Sequence, residues 1–225
     1  AGQPQSTRLE EAHIERPLMP IRVAPYQHQR DAFAFAMRLF TQVISPGVAL
    51  LMEMGTGKTL TSVAIAGALD INRALIVAPL SILGVWQEEF AKFAAFGYTL
   101  QVLTGGSSKK AAILRGLAGP GLQIAVVNYE SAWRLEQEIA DWQPDMIICD
   151  EGHKIKSHST NASKAMHRLG VKARYRLLLT GTPVTNKAVD IFSQYKFLHS
   201  GVFGTSFYLS VTAILSRATS PASSR

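Results

Sequence analysis

Cysteine is almost missing from this chain of 225 residues. Cys149 stands alone, so no internal disulfide framework holds the fold, and a reducing compartment suits it. Its setting, the apolar run Met146-Ile147-Ile148-Cys149, reads as a buried structural thiol rather than a nucleophile. Long apolar runs are missing too: none approaches the ~20 residues that a membrane span needs. Residues 1–20 are polar and proline-rich, without the apolar stretch of a secretory leader. The expectation is a soluble, intracellular protein that makes no use of a membrane. Acidic residues are scarce in one stretch. Residues 151–200 carry 9 Lys+Arg against 2 Asp+Glu, a net of +7, whereas residues 1–150 carry 12 against 14, a net of −2. The excess sits in Lys154, Lys156, Lys164, Arg168, Lys172, Arg174, Arg176, Lys187 and Lys196. It reads either as a solvated basic surface or as a face for a polyphosphate backbone.

What is present is regular. With 47% apolar residues the chain can bury a substantial core. Short aliphatic runs at 48–53, 73–78, 99–103, 123–128, 145–150 and 175–180 predict strands. Between them 58–69, 81–95, 108–117, 131–140, 160–169 and 187–199 predict helices, and an earlier helix over 27–40 carries Phe33, Phe35, Met37, Leu39 and Phe40. Strands apolar on both faces and separated by helices imply an α/β fold. Its mainly parallel sheet is covered by helices on both faces, in three layers. Residues 1–20 read as a flexible lead-in, and 209–225, rich in Ser, Ala and Thr toward the end, as a disordered low-complexity tail.

The first strand runs into Met54-Gly55-Thr56-Gly57-Lys58-Thr59, and a helix follows. Strand, glycine turn and helix N-terminus together make a phosphate cradle, because inward-facing backbone N–H groups and the helix dipole favour an anion. Lys58 can reach the terminal phosphates and the Thr59 hydroxyl can ligate Mg²⁺. Met52 stands where the longer form of the motif has its first glycine.

Asp150-Glu151-Gly152-His153 follows the fifth strand and so falls on the same sheet edge. Two acids at the end of a buried strand are unfavourable unless they serve a purpose. Asp150 can hold Mg²⁺ opposite Thr59, and Glu151 can orient and deprotonate the water that attacks a γ-phosphate. The plainer alternative is an acid pair favoured by a helix N-terminus.

These two motifs together resemble superfamily 2 helicases and translocases, and further segments narrow the resemblance to the Swi/Snf-type group. Leu75-Ile76-Val77-Ala78-Pro79-Leu80-Ser81 with Trp86-Gln87-Glu88-Glu89-Phe90 resembles motif Ia. Val126-Val127-Asn128-Tyr129-Glu130 resembles motif Ib, and Leu177 to Asn186, with Thr180-Gly181-Thr182-Pro183 at its centre, resembles motif III. The likeness spans residues 21–208 and implies a P-loop NTPase of RecA-like fold that binds ATP with Mg²⁺ and moves on double-stranded DNA. It implies that Lys58, Asp150 and Glu151 are catalytic, and that Met54, Gly55, Thr56, Gly57, Lys58 and Thr59 bind nucleotide. Gln29, with Gln27 as competitor, would read adenine, while His153, Thr180, Gly181 and Thr182 would couple the nucleotide site to DNA. Pro79, Ser81, Asn128, Tyr129, Lys154 and Lys156 would lie against the DNA backbone.

The resemblance also implies a second RecA-like lobe, in cis or in trans, that supplies arginines to the ATPase site. Nothing in 209–225 resembles it, so this chain alone is expected to bind ATP weakly and hydrolyse it poorly. Gly152 departs from the alanine usual at that position; both residues are small, and the catalytic geometry is expected to survive. Glu53-Met54-Gly55-Thr56 hints at a bacterial or phage relative. An RNA-helicase or restriction-type motor lobe, and a non-catalytic nucleic-acid-binding module, remain as alternatives. The Thr-Gly-Thr-Pro segment argues against the first, and the intact Lys58, Asp150 and Glu151 argue against the second.

Overall fold

A computed structural model describes residues 18–43, 45–181, 188–199 and 201. Six parallel strands form one sheet, in the order β1-β6-β5-β2-β4-β3. They are β1 (Gly47–Leu51), β2 (Arg73–Ala78), β3 (Tyr98–Val102), β4 (Leu122–Asn128), β5 (Met146–Cys149) and β6 (Tyr175–Thr180). Each expected strand forms within a residue or two of its expected bounds.

The period of two along each strand divides the aliphatic side chains between two cores. Val48, Leu50, Ile76, Ile124, Ile148 and Leu177 face one layer, made by α1 (Gln27–Thr41), α2 (Lys58–Ala68) and α3 (Leu83–Phe93). Leu75, Val77, Val127, Ile147, Cys149 and Leu178 face the other. That second layer consists of α4 (Ser107–Arg115), α5 (Tyr129–Arg134), α6 (Glu136–Trp142), α7 (Asn161–Lys172) and α8 (Ala188–Leu198). The result is the three-layer α/β sandwich expected from the alternating runs. Cys149 is buried in the second core, and burial pushes its thiol far above the ordinary range, so it is an inert structural group.

Three details differ from the sequence reading. The helix expected at 131–140 is two helices, broken at Leu135, whose φ of −105° and ψ of 22° end α5 before α6 begins. Met19 and Pro20, on the expected lead-in, are docked rather than loose. Ala95 N–H donates to Pro20 O at 3.0 Å, Ile21 bridges Ala94, and Met19 packs on the first core. Along α1, Phe33, Met37 and Phe40 are buried, but Phe35 lies on the other side of the helix and is exposed.

Helix α2 is apolar on nearly all sides, with every residue from Leu60 to Ala66 buried. It is held between the sheet, α1 and α3, so its N-terminus, where the glycine loop ends, is firmly placed. Because all the strands are parallel, the C-terminal ends of β1, β2, β4, β5 and β6 open on one edge. The glycine loop, Asp150-Glu151 and the described end of the Leu177–Asn186 segment, Thr180-Gly181, follow β1, β5 and β6 on that edge.

Candidate nucleotide site

The loop from Met52 to Gly57 joins β1 to α2 through two left-handed glycines, Gly55 at φ 80° and Gly57 at φ 89°. A side chain is strained at either. At Gly57 an added Cβ would also lie 2.2 Å from Nε2 of Gln29. The side chain of Lys58 turns back into the loop, where Nζ donates to Met52 O and Glu53 O, each at 2.9 Å. The loop thus has the form of a phosphate cradle, with its ammonium group held at the centre by the loop's own carbonyls. Met54 projects into solvent, 81% exposed.

Gln29 and Gln27, the two candidates on α1, differ sharply. Gln29 is buried; its Oε1 accepts from Tyr26 N–H at 2.9 Å, and its Nε2 donates to Thr56 O at 3.1 Å. Gln27 is exposed and bonds Asp31 within its own helix at 2.8 Å. Only Gln29 touches the glycine loop. His28 Nε2 lies 2.9 Å from the same Thr56 carbonyl, and its ring stacks on the exposed ring of Tyr26 with centroids 5.8 Å apart.

Across the cradle stands the end of β5. Asp150 is buried, with Oδ1 accepting from Glu151 N–H at 2.8 Å and Oδ2 from the Trp86 indole N–H at 3.1 Å. Burial raises its carboxyl above the ordinary range; those two hydrogen bonds and the Lys58 charge oppose the rise, and Glu151 adds to it. Glu151 adopts the left-handed region at φ 50°, a strained position for a non-glycine residue, and its Oε2 lies 3.1 Å from His153 Nδ1. The third wall is the end of β6. Met52 N–H donates to Thr180 O at 3.3 Å, and Gly181 lies so close to Met54 and Lys58 that an added Cβ would sit 3.1 Å from one and 3.3 Å from the other. Thr180 is buried, and Thr182 lies outside the described residues.

The donors present fit Mg²⁺ better than a protein-caged ion. Among the described residues no cluster of three or more His, Cys, Asp or Glu could hold a metal, whereas Thr59 and Asp150 supply oxygen on one sheet edge. Magnesium is commonly held by one or two such groups together with substrate phosphates and water.

The expected DNA-facing residues divide. Ser81 is exposed on the short 3-10 turn Leu80–Ile82, with Pro79 half-buried before it; Lys154 and Lys156 are exposed beside the turn Gly152–Ile155. Asn128 is half-buried and caps α5, its Oδ1 accepting from Ser131 N–H at 3.2 Å. Tyr129, by contrast with Ser81, has a buried ring, and its hydroxyl donates to Asp150 O at 2.5 Å. Burial holds that phenol well above its usual range, so it stays protonated as a donor to that carbonyl.

The basic excess divides likewise. Lys154, Lys156, Lys164, Lys172 and Arg174 are exposed, but Arg168 is paired with Glu136 through two contacts of 2.6 Å. Arg176 is buried and donates to Leu198 O at 3.2 Å, capping the end of α8. Lys187 lies outside the described residues. Sequence reasoning gave no role to Trp86, although its place four residues before Phe90 in a helical run marked it as a core-facing aromatic.

Residues 28–211 match the SNF2-related domain. The chain belongs to this family. A RAD54-like DNA repair and recombination protein of Drosophila persimilis is 27% identical over 204 residues, covering 84% of this chain and 26% of that protein. One from Gallus gallus is 31% identical over 199 residues, covering 79% and 26%. The chain thus spans about a quarter of the length of these curated relatives. The Sulfolobus solfataricus SWI2/SNF2 ATPase core, solved in complex with dsDNA, superposes with a TM-score of 0.73 at 29% identity, over 87% of this chain and 40% of that one. The sheet described above is therefore the RecA-like sheet of an SNF2-related domain. These relatives are animal and archaeal, so the hint of a bacterial or phage source drawn from Glu53 to Thr56 gains no support. No described helix is long and apolar enough to cross a membrane.

Proposed function

We propose that this chain is the ATP-binding lobe of a double-stranded-DNA-dependent ATPase, in which hydrolysis drives movement on DNA once a second RecA-like lobe completes the site. The observation that carries the reading is the meeting of three loops at one sheet edge. The glycine loop ends at Lys58, Asp150-Glu151 ends β5, and Gly181 is packed against both Met54 and Lys58.

In this reading the loop amides and Lys58 take the phosphates, and Lys58 exchanges the Met52 and Glu53 carbonyls for phosphate oxygens. Thr59 and Asp150 would hold Mg²⁺, which neutralises charge on the phosphates when bound. Glu151 orients water and accepts its proton, and the His153 imidazole 3.1 Å away links that carboxylate to the basic turn that follows. Gln29 is the better placed of the two glutamines to read adenine, since its amide already grips the loop at Thr56. Ser81, Lys154 and Lys156 offer exposed donors to a DNA backbone on the same edge.

The motor reading is tested by ATP turnover of the chain with and without duplex DNA, beside Glu151→Gln. The expected result is weak nucleotide binding and slow turnover that Glu151→Gln abolishes. Turnover unaffected by Glu151→Gln would count against the assigned base. DNA-stimulated turnover of several per second from this chain alone would count against the need for a second lobe.

A further inference from the structure

Among the described residues two besides glycine have a left-handed backbone, Gln143 and Glu151. Gln143 ends α6, where that conformation is a common helix stop. Glu151, at φ 50° and ψ 58°, has no such local reason. A left-handed residue with a side chain is unfavourable and persists only where its surroundings over-determine it. The ready way out is a flip of the peptide plane that joins Asp150 to Glu151, because that flip changes φ at Glu151 directly. Whatever holds this plane therefore holds the carboxylate that follows it.

Both polar ends of the plane are tied down. Glu151 N–H donates to Oδ1 of Asp150 at 2.8 Å, and Asp150 O accepts from the Tyr129 hydroxyl at 2.5 Å. Asp150 is itself anchored, since its N–H donates to Val77 O at 2.8 Å and the Trp86 indole donates to its Oδ2. Beyond Glu151 the turn is held as well: Lys154 N–H donates to Glu151 O at 2.9 Å, and Gln194 Nε2 on α8 donates to Gly152 O at 3.1 Å.

Tyr129 comes to this place from another strand. It opens α5 at the end of β4, and β2 stands between β4 and β5, so its side chain spans the end of β2 to meet Asp150. Both residues are buried. A buried carbonyl that loses its donor is left unsatisfied, and a flip of the plane would relieve that. We propose that Tyr129 is a positioning residue: its hydroxyl locks the Asp150–Glu151 peptide plane and so aims the Glu151 carboxylate, resting on the assignment of Glu151 as the base. The two aromatic donors that meet at Asp150 then have separate tasks. Trp86 holds the side chain of Asp150, and Tyr129 holds its backbone.

Tyr129→Phe keeps the ring and removes the hydroxyl. Per-residue amide hydrogen exchange of the full chain, without nucleotide, should show Glu151 N–H exchanging roughly tenfold faster or more, the scale of one lost buried hydrogen bond. Ile148 and Leu177, inside β5 and β6, should exchange as in the parent. Equal exchange at Glu151 in the two proteins would overturn the proposal. So would a similar rise at Ile148 and Leu177, or a chain that no longer folds, because the hydroxyl would then be a general prop of the fold.

Single-turnover hydrolysis, with the chain in excess over Mg·ATP, separates this role from the base assignment. Tyr129→Phe should slow the chemical step about tenfold with Mg·ATP affinity within about twofold of the parent's, and should not slow the residual rate of Glu151→Gln further. If Glu151→Gln is slow and Tyr129→Phe is not, or if Tyr129→Phe slows both backgrounds equally, the positioning role fails and the assigned base stands. If Glu151→Gln turns over like the parent, the assigned base fails, and amide exchange still decides whether Tyr129 locks the plane.

Discussion

The indole N–H of Trp86 donates to Oδ2 of Asp150 across 3.1 Å, both side chains buried and 64 positions apart in the chain. Trp86 sits on α3, one turn beyond the loop that carries Pro79 and Ser81. The carboxylate expected to hold Mg²⁺ is therefore oriented by the helix that follows a candidate DNA-contacting loop. Trp86→Phe keeps an aromatic ring in the core but removes the donor. A hydrogen bond to a charged group contributes about 1.5–3 kcal/mol. The Mg²⁺ concentration needed for half-maximal nucleotide binding should then rise roughly tenfold or more, while binding without Mg²⁺ stays as in the parent. Magnesium titration of a fluorescent ATP analogue measures both.

Gly57→Ala should be the most damaging single methyl in the loop. It places a Cβ at φ 89° and 2.2 Å from the Gln29 amide. A left-handed non-glycine residue costs about 1–2 kcal/mol before any clash, and relieving the clash breaks the Gln29 bond to Thr56. Urea unfolding should show the loss, and nucleotide binding should fall with it. Gly55→Ala, whose Cβ meets nothing within 4 Å, should affect folding less.

Gly152→Ala probes a departure from the family. Alanine and glycine are both small, but an added Cβ here would lie 2.8 Å from both Cγ and Cδ1 of Leu178 on β6. Overpacking of this kind costs about 1–3 kcal/mol. Gly152→Ala alone should destabilise the chain. Leu178→Val in the same protein should recover part of the loss, giving a coupling of at least about 0.5 kcal/mol in a double-mutant cycle of unfolding free energies.

His167 gives the chain a pH dependence. The ring is buried between α7 and α8 with Nε2 2.8 Å from Ser193 O, and burial lowers its pKa from 6.5 to about 4. Above pH 6.5 it is neutral in both the folded and unfolded chain. As pH falls from 6.5 toward 4 the unfolded chain takes up a proton that the folded one refuses, so stability falls through that window. Urea midpoints measured across pH 7 to 4 should drop, and His167→Gln should flatten the slope.

The fold was legible because all six strands are short aliphatic runs bounded by turn residues, and the period of two then sorts Leu75 from Ile76 without ambiguity. The glycine loop and the acid pair were legible because their chemistry needs particular residues at particular spacings. What stayed hidden depends on distant partners. Tyr129 reads as a loop residue beside Asn128, and only the approach of Asp150 turns its hydroxyl inward. Arg168 and Arg176 read as surface charge until Glu136 and the end of α8 come into reach. The break at Leu135 has no glycine or proline to announce it.

Binding of Mg·ATP to the chain and to Lys58→Ala, by fluorescence anisotropy of a labelled analogue, tests the central claim most directly. Lys58 is the one cation bonded into the glycine loop among the described residues, through Met52 O and Glu53 O. The account predicts measurable binding to the parent chain and a loss of tenfold or more in Lys58→Ala, with the far-ultraviolet spectrum and urea midpoint close to the parent's. Equal affinity in the two proteins, or no binding to a folded parent chain, would contradict it.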